Sequence, residues 1–375
     1  MSRLRPGQVR DAIVDVLQAT DSASVSQIAL GVEQRIGPVP ASSVRSYLQI
    51  NTPELFVRQE RGQYALAGFE RAAARPVLAA KAADSAAFDD GRITLHRQDC
   101  MDWLAQAAEN SVEAVVTDPP YGLIEYSDAE QEKLRAGRGG VWRIPPSFDG
   151  SARAPLPRFT VLKERELAEL DRFFCEWARR VLRVLVPGAN VVMASNPLLS
   201  HIVAGALARA GLERRGEIAR LVMTMRGGDR PKGAHEEFKD VSAMPRSQWE
   251  PWLLFRKPLE GRVQDNLRRW KTGGFRRISD ERPFGDVIES APTRAKERAI
   301  ADHPSLKPQD FMRRIVRGVL PLGEGVVLDP FAGGGSTLAA AMAVGYRAQG
   351  IERDADYFQL AKRAIPKLAA LDVGA

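Results

Sequence analysis

The chain has few cysteines and histidines, and it contains no long uncharged apolar run. Its 375 residues include two cysteines, Cys100 and Cys175, and four histidines that lie far apart. Two cysteines cannot build a disulfide framework, and such scattered histidines do not have metal-ligand spacing. No apolar run approaches the roughly 20 residues of a membrane span, and no signal-peptide segment follows the amino terminus. These absences favour a reduced, metal-free, cytoplasmic protein.

The charge balance favours a polyanionic partner. The chain has 54 Lys and Arg residues against 47 Asp and Glu, a formal net charge of +7. Such a surplus is typical of nucleic-acid-binding proteins, although many basic proteins bind no nucleic acid. The length allows one sizeable core and a second, smaller domain.

Residues 1–68 have the pattern of a small DNA-binding module. Three stretches with helical spacing precede "LFVRQERGQYALAG", which alternates apolar and polar residues on both sides of Arg61 and Gly62, as a β-hairpin does. Three helices and a hairpin predict a winged helix-turn-helix domain whose third helix presents Arg45 and Gln49 to DNA. The alternative is a small helical domain that docks on its neighbour or on another protein. Residues 69–90 are Ala-rich and predict a linker.

Strand and helix patterns alternate along residues 91–375. Short apolar, β-branched runs such as "GANVVMAS" are separated by amphipathic stretches such as "ERELAELDRFFCEWARRVLRVL". This alternation predicts an α/β domain with a parallel sheet and helices on both of its faces.

One predicted strand stops abruptly in "VVTDPPYG", residues 115–122. Two consecutive prolines end a strand because each lacks a backbone donor and fixes its own φ. A structural stop explains the prolines, but it does not explain the acid Asp118 and the ring of Tyr121 beside them.

A second unusual stretch, "LDPFAGGGST", spans residues 328–337. An apolar strand leads into three glycines and an Ala-rich helix, and the next strand ends on Glu352. Glycines let a ligand approach the backbone where the amides at the start of a helix point outward. The loop lacks the lysine of a P-loop and the dinucleotide-binding spacing, so phosphates are not the expected ligand. The alternative is a tight strand-to-helix turn without a ligand.

Four motifs in order resemble the β class of amino DNA methyltransferases. They are "DPPY" at 118–121, "HPSLKP" at 303–308, "LDPFAGGGST" at 328–337 and "GIERDADYFQLAKR" at 350–363. The resemblance covers residues 91–375 and implies a doubly wound, Rossmann-like methyltransferase sheet with circularly permuted motif order. It also implies S-adenosyl-L-methionine as cofactor and double-stranded DNA as partner.

The resemblance gives the Asp-Pro-Pro-Tyr turn a chemical role. An exocyclic amino group is a poor nucleophile because its lone pair is delocalised into the ring. Acceptors on both amino hydrogens favour a pyramidal nitrogen, and Asp118 and the Pro119 carbonyl are such acceptors, held in place by the stiff Pro120. Tyr121 offers a face on which a flipped-out base stacks. Asp118, Pro119, Pro120 and Tyr121 are thus the candidate catalytic residues.

The cofactor residues implied by the resemblance surround the glycine loop. They are Asp99, Cys100, His303, Lys307, Asp329, Phe331, Gly333, Gly335, Ser336, Thr337 and Glu352. Asp329 would accept from the ammonium of the methionine part, and Lys307, with the loop amides, would approach its carboxylate. Glu352 would bind the ribose hydroxyls. Asp99 would contact the adenine amino group, with a solvated acid as the alternative.

Two segments are predicted to contact DNA besides the amino-terminal domain. An insertion at residues 122–160 would form a lid with Arg138 and Arg143 near phosphates, or else a solvated loop. Residues 256–302 are predicted to be a flexible target-recognition segment. The basic residues predicted to contact DNA there are Arg268, Arg269, Lys271, Arg276 and Arg277. The sequence departs from the family where relatives often show a His-Glu pair, because Trp249 and Glu250 stand there.

The resulting expectation is a site-specific methyltransferase that acts on N6 of adenine in DNA. An N4-cytosine enzyme of the same class is the near alternative, although the acid that begins "DPPY" favours adenine. An RNA methyltransferase usually has the reverse motif order, and a catalytically inactive DNA-binding regulator would not need intact motifs. The amino-acid sequence is compatible with a homodimer and with a cognate restriction endonuclease as partner, and it does not specify which DNA sequence is recognised.

Overall fold

The structure, a computed structural model, describes residues 8–20, 22–52, 55–60, 62–66, 84–121, 147–148, 151–152, 162, 164–222, 230–231 and 233–373. The chain divides into two compact units, residues 1–76 and residues 77–375. None of the helices in the described part is long and apolar enough to span a membrane.

The first unit contains the predicted helices and hairpin. Its elements are α1 (Gln8–Thr20), β1 (Ser22–Ser24), α2 (Val25–Ile36), α3 (Ala41–Ile50), β2 (Phe56–Glu60) and β3 (Gln63–Leu66). The strands pair antiparallel in the order β1-β3-β2. Ser24 begins α2 with a capping box, because its hydroxyl accepts from Gln27 N and its own N–H donates to Gln27. Ile13, Leu17 and Phe56 are fully buried in its core. The winged-helix interpretation remains a prediction.

The second unit is built on a sheet with nine strands among the described residues, in the order β12-β10-β11-β9-β6-β13-β14-β5-β4. The strands are β4 (Ser85–Phe88), β5 (Ile93–Arg97), β6 (Val112–Thr117), β9 (Leu185–Ala194), β10 (Glu213–Leu221), β11 (Trp249–Arg256), β12 (Val287–Glu289), β13 (Val326–Asp329) and β14 (Arg347–Glu352). A separate short pair joins β7 (Ser147–Phe148) and β8 (Ser151–Ala152).

The helices of the second unit cover both faces of this sheet. They are α4 (Cys100–Gln106), α5 (Glu164–Val184), α6 (Ser200–Arg209), α7 (Val263–Trp270), α8 (Ala295–Ile300), α9 (Gln309–Val319), α10 (Ser336–Ala343) and α11 (Ala355–Ala369). One core cluster joins α4, α5 and α6 to the sheet, and another joins α9, α10 and α11 to it. This is the doubly wound, Rossmann-like arrangement expected from the alternation of strands and helices.

The expected parallel sheet is correct for the centre and wrong for two strands. Strands β9, β6, β13, β14 and β5 are parallel neighbours. By contrast, β11 runs antiparallel to both β9 and β10, and β4 runs antiparallel to β5. Strands β10 and β11 pair as antiparallel neighbours, so β11 runs in the opposite direction to β10 and to the parallel strands at the centre.

The structure describes part of the predicted linker, residues 69–90, and little of the predicted insertion, residues 122–160. The linker prediction is wrong at its carboxyl end, since Ser85–Phe88 forms the edge strand β4. The predicted 122–160 insertion lies outside the described residues except for β7 and β8.

Candidate functional site

The predicted catalytic and cofactor motifs meet at one edge of the sheet. Parallel strands place their carboxyl ends together, so the residues after β6, β13, β14 and β5 are neighbours. The Thr117 hydroxyl, at the end of β6, donates to Asp329 Oδ1 at 2.6 Å, although these residues lie 212 positions apart. Asp118 and Asp329 therefore lie on adjacent strand ends, as the permuted motif order requires.

Asp118 is a largely buried acceptor. Its side chain is 15% exposed, and Oδ2 lies 2.9 Å from Lys307 Nζ. Oδ1 is buried and has no hydrogen-bond partner among the described residues. Burial, together with the negative charge of Glu250, raises the pKa of Asp118 in spite of Lys307. One carboxylate oxygen is thus available to a donor group that enters the site.

Tyr121 is tied into the same polar cluster. Its hydroxyl donates to Glu250 Oε1 at 2.8 Å and lies 3.3 Å from Lys307 Nζ. The ring is half-buried and touches both core clusters of the sheet. These contacts fix the orientation of the ring, which is what a stacking surface requires.

Glu250 and Arg220 are site residues that the sequence interpretation did not assign. They face each other in the β10–β11 register, and Arg220 Nη1 donates to Glu250 Oε2 at 2.9 Å. Lys307 Nζ lies 2.9 Å from Glu250 Oε1. A lone acid in the apolar run "WEPWLLF" was the available signal, because an unpaired buried charge is costly and implies partners.

Asp329 is the most buried acid at this edge, with 2% of its surface exposed. Burial raises its pKa to about 6, against the opposing effect of hydrogen bonds from Thr117, Thr337 and the Phe331 amide. A carboxylate held in this way gains from a cationic partner that would offset its desolvation.

Glu352 links the glycine loop to the turn after β14. Its carboxylate accepts from Gly333 N and from Asp354 N, both at 2.8 Å. Burial raises its pKa. Carboxylate oxygens carry about four lone-pair sites in all, so two backbone bonds leave capacity for hydroxyl donors.

Asp99 and Cys100 lie beside Glu352, because Gln98 N donates to the Glu352 carbonyl at 3.1 Å. Asp99 caps α4 by accepting from Met101 N at 2.8 Å. Cys100 is buried, and burial raises its pKa to about 12, so its thiol stays protonated. Cys100 packs in the core and Asp99 caps a helix at the same edge as Glu352, and their cofactor contacts remain predictions.

The remaining predicted cofactor residues surround the same narrow cleft. His303 packs edge-on against Tyr357 at 4.4 Å between ring centroids, and burial lowers its pKa to about 4. Lys307 N donates to the Ser336 hydroxyl at 3.2 Å. The cleft is lined in part by His303, Lys307, Asp329, Phe331, Gly333, Ser336 and Thr337.

The glycine loop needs its glycines for space and for conformation. Gly335 precedes α10 with φ 84°, in the left-handed region. A Cβ at Gly334 would come within 3.1 Å of the His303 side chain and 3.2 Å of Leu306. Side chains at these positions would therefore close the cleft.

The part of the predicted target-recognition segment around α7 lies at the other edge of the sheet from Asp118. Around α7, the Asn266 amide and the Thr272 hydroxyl both donate to the Pro187 carbonyl, near the start of β9. The start of a parallel strand lies at the opposite edge from Asp118. This places Arg268, Arg269, Lys271, Arg276 and Arg277 far from a base held at Asp118.

Two of the predicted DNA-binding side chains in this segment have protein partners. Arg269 pairs with Glu260 at 2.7 Å, and Arg276 donates to the Tyr346 hydroxyl at 2.8 Å. DNA contact by these residues remains a prediction.

The other predicted DNA-binding residues lie in the first unit or outside the described chain. Arg45 and Gln49 are exposed on α3. Arg138 and Arg143 lie outside the described residues. The segment between β10 and β11, of which residues 222, 230–231 and 233–248 are described, begins and ends at the same edge of the sheet as Asp118, and the sequence interpretation did not assign it. Its described part exposes Lys239, Phe238 and Met244.

A doubly wound sheet that carries an Asp-Pro-Pro-Tyr turn next to a glycine loop, in permuted order, defines a β-class amino-methyltransferase with S-adenosyl-L-methionine as cofactor. A family model of DNA methylases, the N6/N4 methyltransferase model, matches residues 112–363. The chain belongs to this family of DNA N6-adenine or N4-cytosine methyltransferases.

The chain is also similar to individual proteins. The chain is 23% identical over 299 residues to the type II methyltransferase M.HindIII of Haemophilus influenzae, covering 71% of this chain and 93% of that protein. It is 30% identical over 133 residues to the DNA adenine methyltransferase YhdJ of Escherichia coli, covering 32% and 45%. The crystal structure of TTHA0409 of Thermus thermophilus with S-adenosyl-L-methionine is 25% identical, with a TM-score of 0.44 and coverage of 74% and 95%.

The cleft suits this cofactor chemically. It offers the buried carboxylate of Asp329 for an ammonium, the carboxylate of Glu352 for hydroxyls, and a glycine loop that admits close approach of a ligand to the backbone. Asp118 Oδ1, which has no hydrogen-bond partner in the described part of the chain, lies on the neighbouring strand end.

Proposed function

We propose that the chain methylates the exocyclic N6 of adenine in double-stranded DNA. The observation that carries this proposal is the buried Asp118 Oδ1, which lacks a partner among the described residues, on the strand end next to Asp329. The preference for adenine draws support from the "DPPY" turn and from the similarity to YhdJ, a DNA adenine methyltransferase.

Asp118 and the Pro119 carbonyl would accept the two amino hydrogens of a base flipped out of the duplex. When bound, S-adenosyl-L-methionine supplies an electrophilic methyl group on its sulfonium. The N6 lone pair forms the new N–C bond as the C–S bond breaks, and that electron pair stays on sulfur. The amino proton becomes acidic only after transfer, and it leaves to water or through Asp118. The stiff Pro120 turn keeps the acceptors in place.

On the cofactor side, Asp329 would accept from the ammonium, and Glu352 would accept from the ribose hydroxyls. Asp99 would face the adenine end beyond Glu352. Lys307 was predicted to approach the cofactor carboxylate. Its contacts with Asp118 and Glu250 instead support a role in the catalytic cluster.

DNA contacts near the target base would come from the described part of the segment between β10 and β11, residues 233–248. Loops that protrude from the catalytic edge of an α/β sheet commonly bind the substrate. The first unit would add affinity through Arg45 and Gln49 on α3, since a tethered module raises the local concentration of DNA.

Single-molecule sequencing of DNA from cells that express the chain tests this proposal. N6-methyladenine at one recurrent sequence is expected with the wild type and should be absent with Asp118→Ala. Recurrent N4-methylcytosine would replace adenine as the substrate, and unmodified DNA with the expressed wild type would contradict methylation itself.

A further inference from the structure

Four charged side chains form one buried cluster beside the catalytic turn. Asp118 and Glu250 each lie 2.9 Å from Lys307 Nζ, and Glu250 lies 2.9 Å from Arg220. Their side chains are between 7% and 15% exposed. Two carboxylates and two cations give a formal net charge of zero.

Arg220 is fixed on the side of the cluster away from Asp118. It donates to the Ser290 hydroxyl and the Ala291 carbonyl, and its guanidinium lies 5.1 Å from the centre of the Phe311 ring. Anchored in this way, Arg220 holds Glu250, which in turn holds Lys307 and the Tyr121 hydroxyl. The order of contacts from Arg220 to Asp118 is continuous.

We propose that Glu250 is a positioning residue that keeps this buried cluster electrically neutral, so that the cationic methyl donor is accepted beside Asp118. The inference rests on the proposed methyl transfer at Asp118. Methyl transfer requires the sulfonium to approach the amino nitrogen that Asp118 holds, and this nitrogen itself gains positive charge as the new bond forms. A cluster with net positive charge would oppose both events in a poorly screened site.

The ionisation of Glu250 agrees with this role. Burial alone would raise its pKa, but the charges of Lys307 and Arg220 together lower it to about 2. The charges of Asp118 and Glu250 raise the pKa of Lys307, although burial alone would lower it. Glu250 and Lys307 therefore keep their charges throughout the neutral range.

The test compares a cationic with a neutral ligand of the same shape. S-adenosyl-L-methionine carries a sulfonium, whereas S-adenosyl-L-homocysteine carries a neutral thioether. Calorimetry should show that Glu250→Gln weakens binding of the methionine form about tenfold more than binding of the homocysteine form, because only the former meets the uncompensated charge. Glu289→Gln, which removes an exposed acid from the end of β12 at the same edge, should leave the ratio of the two dissociation constants unchanged.

Arg220→Gln gives a prediction of opposite sign. It leaves one excess negative charge, so the preference for the cationic form should increase, and Glu250→Gln combined with Arg220→Gln should return the ratio toward that of the wild type. Equal weakening of both ligands by Glu250→Gln, or an unchanged ratio in both single variants, would overturn the proposal. If Glu250→Gln does not fold, the ratio measured with Arg220→Gln still tests the proposal.

These outcomes are separable from the base that is methylated. Binding of the two ligands is measured without DNA, so methylation of cytosine would contradict the adenine assignment and leave the ligand ratio as the test of Glu250. Conversely, if adenine is methylated but the ratio of the two dissociation constants is unchanged in the variants, the role of Glu250 is contradicted and the adenine assignment stands.

Discussion

Binding of S-adenosyl-L-methionine should depend on pH through Asp329. Burial raises the pKa of this acid to about 6, and if it receives the cofactor ammonium, the ionised form is the one that binds. About one pH unit below that value, roughly nine in ten of these carboxyls carry a proton. The apparent affinity should therefore fall about tenfold from neutral pH to about pH 5.

Isothermal titration calorimetry in two buffers of different ionisation enthalpy would show this fall and the accompanying proton release. Asp329→Asn should bind more weakly and lose most of the pH dependence. Glu352→Gln shows how much of the pH dependence comes from Glu352, the other carboxyl whose pKa is raised by burial. His303, with a pKa of about 4, stays neutral throughout this range. Constant wild-type affinity between about pH 5 and 8 would refute the assignment of the ammonium to Asp329.

The same shift affects the stability of the protein without cofactor. Between the ordinary value of 3.8 and about 6, folded Asp329 retains a proton that the unfolded chain has lost. Stability therefore falls as pH rises through this window, by about 3 kcal/mol for this buried group. Thermal unfolding at several pH values should show a smaller fall in Asp329→Asn.

Four further outcomes are expected. Glu352→Ala should weaken cofactor binding and raise backbone hydrogen exchange in the glycine loop, because it leaves two amide donors unpaired; unchanged calorimetric affinity would remove it from the site. Tyr121→Ala should lose about 1–3 kcal/mol of transition-state stabilisation through lost stacking, whereas Tyr121→Phe keeps the ring, so equal kinetic losses would assign the effect to the hydroxyl. Deleting residues 1–76, which keeps β4, should preserve cofactor binding but weaken DNA binding and flatten its salt dependence; unchanged affinity and salt slope would assign the unit to a protein partner or a dimer interface. Lys239→Ser, between β10 and β11, should reduce DNA methylation more than Arg269→Ser on α7. A larger loss in Arg269→Ser would instead support the predicted DNA contact of the α7 stretch.

The catalytic edge was predictable from sequence because its motifs lie at strand ends. Asp118, Asp329 and Glu352 each follow a short apolar run, and parallel strands bring such ends together whatever their order in the chain. The permuted order therefore did not obscure the site. The local pattern was sufficient here because each acid is placed by its own strand.

Features that depend on contacts between distant residues were not predictable in the same way. The pairing of Glu250 with Arg220 depends on the register of β10 and β11, and its contact with Lys307 joins residues 57 positions apart. The basic stretch around α7 has a composition typical of DNA contact, but its bonds to Pro187 draw it to the opposite edge. Strand β4 has the same Ala-rich composition as the rest of the predicted linker, residues 69–90. It is a strand because it pairs with β5.

The most direct test of the account is methyl transfer by Asp118→Asn. This substitution keeps the size of the side chain but replaces one acceptor oxygen with a donor group. We expect transfer of labelled methyl groups to adenine in duplex DNA to fall at least about a hundredfold, while S-adenosyl-L-methionine and DNA still bind. Turnover by Asp118→Asn at the wild-type rate would contradict the claim that Asp118 holds the amino group during the reaction.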